Sequence, residues 1–144
     1  MADSIRAQIM AKVDTLLKTI KTTAGYETNL GSKIYEWRDM PIEDDAPPAC
    51  IYKESDSYSM FATNQWKHSL ALEIILFGNT ATQVRQMIAD IIKAIGTKTT
   101  WDGLALRTEP TAEDTGVEQK NKLLFVSHLT FTIDFVSTYW NAYS

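Results

Sequence analysis

The sequence predicts an α+β fold: a mixed, mostly antiparallel sheet of about five strands with two helices packed on one face, in the order α-β-β-β-α-β-β. Three observations carry this. Two segments repeat apolar residues at helical spacing, several others alternate at strand spacing, and the strands follow one another through hairpin-like connections. At 144 residues the chain is one domain, 1–144, and can bury roughly two-thirds of its surface without a disulfide or a metal.

Asp3 or Ser4 is placed to cap a first helix whose apolar positions are Ile5, Ile9, Val13, Leu16, Leu17 and Ile20. Gly25 and Asn29 to Gly31 end that pattern. Lys33 to Trp37 alternates as a first strand, and the segment after it, RDMPIEDDAPP, is an acidic loop stiffened by Pro41, Pro47 and Pro48. Ala49 to Lys53 reads as a second strand, Glu54 to Gln65 as a turn or long loop, and Trp66 to Phe77 as a third strand. The third strand carries Leu70, Leu72, Ile74 and Leu76 on one face and Ala71, Ile75 and Phe77 on the other, so it is expected to be central and covered on both sides.

Thr80 and Gln83 form a capping-box pair ahead of the stripe Val84, Met87, Ile88, Ile91, Ile92 and Ile95, and Gly96 stands where a left-handed C-cap is expected. A Trp101-Asp102-Gly103 turn leads into a short strand, Gly103 to Thr108. The polar run EPTAEDTGVEQKN then reads as a segment reaching away from the core. The last strand sets Leu123, Phe125, Leu129, Phe131, Ile133 and Phe135 against Thr130, Thr132, Asp134 and Thr138. Continuous from Lys122 to Tyr139 it would span on the order of 55–60 Å at about 3.3 Å per residue. It is therefore expected to bend, to be shorter, or to project as an edge strand that pairs with another chain.

Composition narrows the function. Apolar residues make up 44% and charged residues 22%, which excludes disorder and fibrous repeats. A net charge of −4 argues against a general nucleic-acid binder, which needs a cationic face. Cys50, the single cysteine, reads as a small core hydrophobe and suits cytoplasmic synthesis. The opening MADSIRAQIMAK has neither the apolar core of a signal peptide nor a membrane span, and Ser127, His128, Thr130, Thr132 and Asp134 interrupt the apolar C-terminal run.

The inventory of reactive residues is short. His68 and His128 show no metal-ligand spacing, phosphate-cradling glycine motifs are absent, and Glu43, Asp44 and Asp45 lack the spacing of a calcium loop. The four tryptophans lack the basic interleaving of a base-stacking platform and suit core or interface packing. These features predict an assembly subunit that is not an enzyme, with no cofactor and no metal. The competing class is a small enzyme or ligand-binding module, which a pocket joining His68 or His128 to Cys50 and a carboxylate would favour.

Three stretches add a resemblance. They are KIYEWRDMPIEDDAPPACIYK, with Trp37, Arg38, Pro41, Asp45, Pro48, Ala49 and Ile51; HSLALEIILFG, with His68, Leu70, Leu72, Glu73 and Ile74; and MIADIIKAIGTKTTWDGLALRTEP, with Asp90, Ile91, Ala94, Ile95, Gly96, Thr100, Trp101, Gly103 and Leu104. In order and spacing they resemble the tail terminator (minor tail protein U) family of long-tailed bacteriophages and prophages, over nearly the whole chain.

The resemblance implies a virion tail protein, assembled in the bacterial host cytoplasm. It implies a homo-hexameric ring on the head-proximal end of the tail tube that stops tube polymerisation and presents a surface for head-tail joining. Its partners would be itself, the tail tube protein and the head completion or connector protein. DNA would pass the lumen without specific binding, and no membrane is involved. A head-tail connector or adaptor, or another minor tail subunit, is the alternative within this class.

The expected partner-facing residues are Arg38, Asp39, Glu43, Asp44 and Asp45 in the first acidic loop, Trp101 and Asp102 in the turn, Glu113 and Asp114 in the second polar segment, and Phe131, Phe135 and Tyr139 on the last strand. For Arg38 an ion pair with Asp45 or Glu36, and for Trp101 and Gly103 a turn-forming and core-capping role, are the competing readings.

Overall fold

The structure is a computed structural model and describes residues 3–37, 48–119 and 123–143. Helix α1 (Ile5–Leu17) precedes strands β1 (Ile34–Glu36), β2 (Ala49–Ala62) and β3 (Gln65–Gly78), then helix α2 (Ala81–Gly96) and strands β4 (Arg107–Gln119) and β5 (Leu123–Thr138). The strands form one sheet in the order β1-β2-β3-β5-β4. β1 runs parallel to β2 and the other three pairings are antiparallel, so the α+β class and the mixed sheet are those expected.

Both helices start on a side-chain cap and bury one stripe. Ser4 Oγ accepts the Ala7 N–H at 3.1 Å, and α1 then buries Ile5, Ile9, Met10, Val13 and Leu17. Thr80 Oγ1 accepts the Gln83 N–H at 3.1 Å, while Gln83 Oε1 accepts the Asn79 N–H at 2.7 Å, a capping box whose return bond falls one residue early. α2 buries Val84, Met87, Ile88, Ile91, Ala94 and Ile95. Against these stripes lie Cys50 and Tyr52 of β2, Leu70, Leu72, Ile74 and Leu76 of β3, and Leu129, Phe131, Ile133 and Phe135 of β5.

Two polar details lock the helices to the chain around them. Asp90 is buried in α2 and accepts the Glu27 N–H at 3.0 Å, the Thr28 N–H at 2.9 Å and the Thr28 hydroxyl at 2.7 Å. Its charge is thereby compensated by donors from the segment between α1 and β1. Gly31 donates its N–H to Ile20 O at 2.9 Å, and a Cβ there would lie 2.5 Å from the Lys18 carbonyl oxygen, so only glycine allows this approach.

Five expectations are corrected. The segment 54–62 is strand rather than loop, because β3 pairs with it residue for residue up to Ala62, with a bulge between Met60 and Ala62. The polar run after Thr108 is likewise strand: β4 follows β5 from Arg107 to Gln119. The last strand is continuous but not an edge, since β3 and β4 flank it. β1 and β2 are parallel, so no hairpin joins them. Gly96 ends α2 within the helix, and the C-cap is Thr97 at φ −82°. The double coverage of β3 is met in part: its far face holds a small cluster of Ala49 and Ile51 with half-buried Tyr35, Ile75 and Phe77.

Candidate functional site

The β2–β3 hairpin extends past β1 and past the start of β4, while β5 accompanies β3 as far as Gln65. β1 covers β2 only at Cys50, Ile51 and Tyr52, so from Lys53 to Ala62 no strand pairs with the outer edge of β2 among the described residues. Burial falls away at the same point: Ala49 to Tyr52 are buried, and Ser57 to Ala62 are all exposed. At the tip Asn64 takes a left-handed φ of 61°, a conformation that asparagine tolerates, and closes the hairpin.

The tip is apolar where solvent would favour polar residues. Tyr58 is 62% exposed, Met60 77% and Phe61 51%, and Trp140 just beyond β5 is 87% exposed. The aromatics touch one another: the Trp66 ring lies 5.9 Å from Tyr58, 5.4 Å from Tyr139 and 4.8 Å from Trp140. Among the described residues, this ridge beside a strand edge with no pairing strand is the clearest interaction surface.

The opposite edge of the sheet has another character. β4 exposes Glu109, Glu113 and Asp114 and carries Pro110, which cannot donate to a ladder, next to a bulge between Pro110 and Ala112. Charge, proline and bulge each discourage strand addition there.

The expected partner-facing residues divide accordingly. Arg38, Asp39, Glu43, Asp44 and Asp45 lie outside the described residues. Glu113 and Asp114 are exposed on β4, and Tyr139 is half-buried against Trp66. Phe131 and Phe135 are corrected to core positions, each 2% exposed, because the odd-numbered face of β5 points at the helices.

Trp101 is also a core residue, with its indole N–H donated to Thr108 Oγ1 at 2.8 Å. It, Asp102 and Gly103 take φ values of 50°, 59° and 89°, a tight left-handed turn. Asp102 accepts from Lys12 and Lys98, each at 3.0 Å, and these bonds hold its exposed carboxyl below the usual range. Of the aromatic ridge the partner-facing set holds only Tyr139; Tyr58, Met60 and Phe61 fall in a stretch that reads as loop, where apolar residues among polar neighbours were the available signal.

The two histidines differ. His128 is half-exposed, with Nδ1 3.3 Å from Glu73 Oε1. His68 is buried, with Nδ1 2.7 Å from Asp56 Oδ2 and Nε2 2.6 Å from Ser137 Oγ. Cys50 joins neither: it is fully buried, and desolvation pushes its thiol far above the usual range, as for a core hydrophobe. Among the described residues no three His, Cys, Asp or Glu side chains group to hold a metal ion, and no helix is long and apolar enough to cross a membrane. The chain matches no protein-family model and no curated protein sequence.

Proposed function

We propose that the chain is a phage tail terminator, a ring-forming subunit that caps the head-proximal end of the tail tube and offers the docking surface for the head completion protein. The observation that carries this reading is the β2–β3 hairpin, whose exposed ridge of Tyr58, Met60, Phe61 and Trp140 borders a β2 edge that no strand pairs with among the described residues. Ring closure needs heterologous contacts, two different flanks of one subunit meeting in every pair. The hairpin supplies one flank with apolar area and with backbone donors and acceptors for directional pairing. The resemblance noted in the sequence supplies the class of assembly.

β4 suits the passage of DNA. Its exposed Glu109, Glu113 and Asp114 would repel phosphates and let the genome slide, since adhesion grows with each phosphate neutralised. Such a subunit is assembled in the host cytoplasm and ends in the virion tail.

The test is association with tail tubes assembled without this chain. After sedimentation, about six copies per tube are expected, as one closed ring. Serine at both Met60 and Phe61 should weaken that association at least about tenfold, the loss of roughly 1.4 kcal/mol. Tubes that sediment free of the chain would overturn the reading.

A further inference from the structure

Ring formation leaves one arrangement on the helix face of the sheet without a role. Asp56 of β2, His68 of β3 and Ser137 of β5 stand on three adjacent strands. In the register Tyr58 and Phe135 oppose His68, so Asp56 and Ser137 are its diagonal neighbours on either side. The distances are those of a nucleophile, its base and an orienting acid: 2.6 Å from Ser137 Oγ to His68 Nε2, and 2.7 Å from His68 Nδ1 to Asp56 Oδ2.

The imidazole is held on both sides. It stacks on Phe135 at 4.3 Å and 8°, and meets Tyr58 edge-on at 4.8 Å and 87°. A carboxylate can only accept, so in a neutral imidazole the ring hydrogen belongs on Nδ1 and Nε2 is left to accept from the Ser137 hydroxyl. Asp56 Oδ1 is buried and has no donor among the described residues, so His68 is the carboxylate's partner.

Such a trio inside a solid core would be a structural pin. Here it borders a cavity of about 370 Å³ whose lining includes His68, Ser137, Trp66, Trp140, Arg6 and Asn141. That volume suits a small organic molecule, and the tryptophans give it apolar walls. The N-terminus of the 13-residue helix α1 opens on the same cavity through Ser4 and Arg6. In its first turn Ile5 donates to Ala142 O, Ala7 to Ser4 Oγ and Gln8 to Ser4 O, and the Arg6 guanidinium donates to Glu54 Oε1 at 3.1 Å and Glu54 O at 3.3 Å. The helix N-terminus, with Arg6 held beside it by Glu54, sets a positive field on the side of the cavity where an oxyanion would develop.

We propose that Ser137 is an acyl-accepting nucleophile and that this cavity hydrolyses small carboxylic esters with apolar or aromatic acyl groups. Ser137 Oγ attacks the ester carbonyl carbon while its proton passes to His68 Nε2. The carbon–oxygen bond to the alcohol breaks, and His68 returns the proton to the departing alkoxide. Water, deprotonated by His68, then attacks the acyl-serine; acid is released and the Ser137 hydroxyl regains its proton. One ester and one water give one acid and one alcohol. The activity stands apart from ring formation and departs from the non-enzymatic expectation drawn from the residue inventory.

The test uses the full chain with a fluorophosphonate probe and with p-nitrophenyl butyrate. One phosphonyl adduct per chain, mapped to the peptide that holds Ser137, is expected. Ester turnover should fall about 10²-fold or more in Ser137→Ala and in His68→Gln, the usual worth of general-base chemistry. Circular dichroism of each variant checks folding; where a variant unfolds, adduct mapping on the unaltered chain decides. No adduct, adducts spread over other residues, or undiminished turnover by folded Ser137→Ala would overturn the proposal.

Discussion

The two halves of β2 contrast within one continuous strand. Ala49 to Tyr52 lie between β1 and β3 beneath the helices and are buried, whereas among the described residues those from Lys53 onward pair only with β3, and Ser57 to Ala62 are exposed. Backbone geometry is shared, so pairing with β3 makes both halves strand. Packing makes only the first half core. The second half keeps its shape through hydrogen bonds to β3, buries the carboxylates of Glu54 and Asp56, and from Ser57 onward leaves its side chains available for another surface.

That contrast can be broken at either end, and the largest effect is expected in the core. Leu72 faces the helices and is fully buried, so Leu72→Ala should cost roughly 2–5 kcal/mol in denaturant unfolding, transfer and cavity terms together.

An intermediate effect is expected where the halves meet. The Tyr52 hydroxyl donates to Asp14 Oδ1 at 2.8 Å and lies 3.2 Å from Glu36 Oε2. Burial first, then these carboxylates, raise its ionisation far above the usual tyrosine range. The stability it contributes is therefore full below the ordinary tyrosine range and is lost as pH rises beyond it. Tyr52→Phe should cost about 1 kcal/mol at neutral pH and flatten the alkaline fall in stability, followed by denaturant titration at several pH values.

The smallest effect on stability is expected at the tip. Replacing Met60 and Phe61 with serine should shift unfolding by about 0.5 kcal/mol or less, because both side chains already face solvent. A larger loss would mean that the hairpin is part of the folding core.

The same contrast explains what could be read from the sequence. Both helices were legible because capping residues and 3.6-residue spacing are written in their own side chains, as at Thr80 and Gln83. β3 was legible because His68 to Leu76 alternate against a core. The far half of β2 and the part of β4 beyond Thr108 were not, since neither carries an alternating apolar face and their strand geometry comes from a partner's register. Asp56 was hidden inside an apparent loop and Ser137 at the polar end of the apolar face of β5, so their approach to His68 needed the pairing of three strands. Tyr58, Met60 and Phe61 are hidden for the same reason, while Phe131 and Phe135 share the apolar face of β5 with Leu129 and Ile133 and belong to the core.

The central claim is that this chain ends a tail tube by fitting its tip. Electron microscopy of tails assembled with the chain, without it, and with serine at Met60 and Phe61 reads that directly. Uniform tubes are predicted only with the unaltered chain, and tubes of uncontrolled length in the other two preparations. Tubes of one length in all three would contradict it.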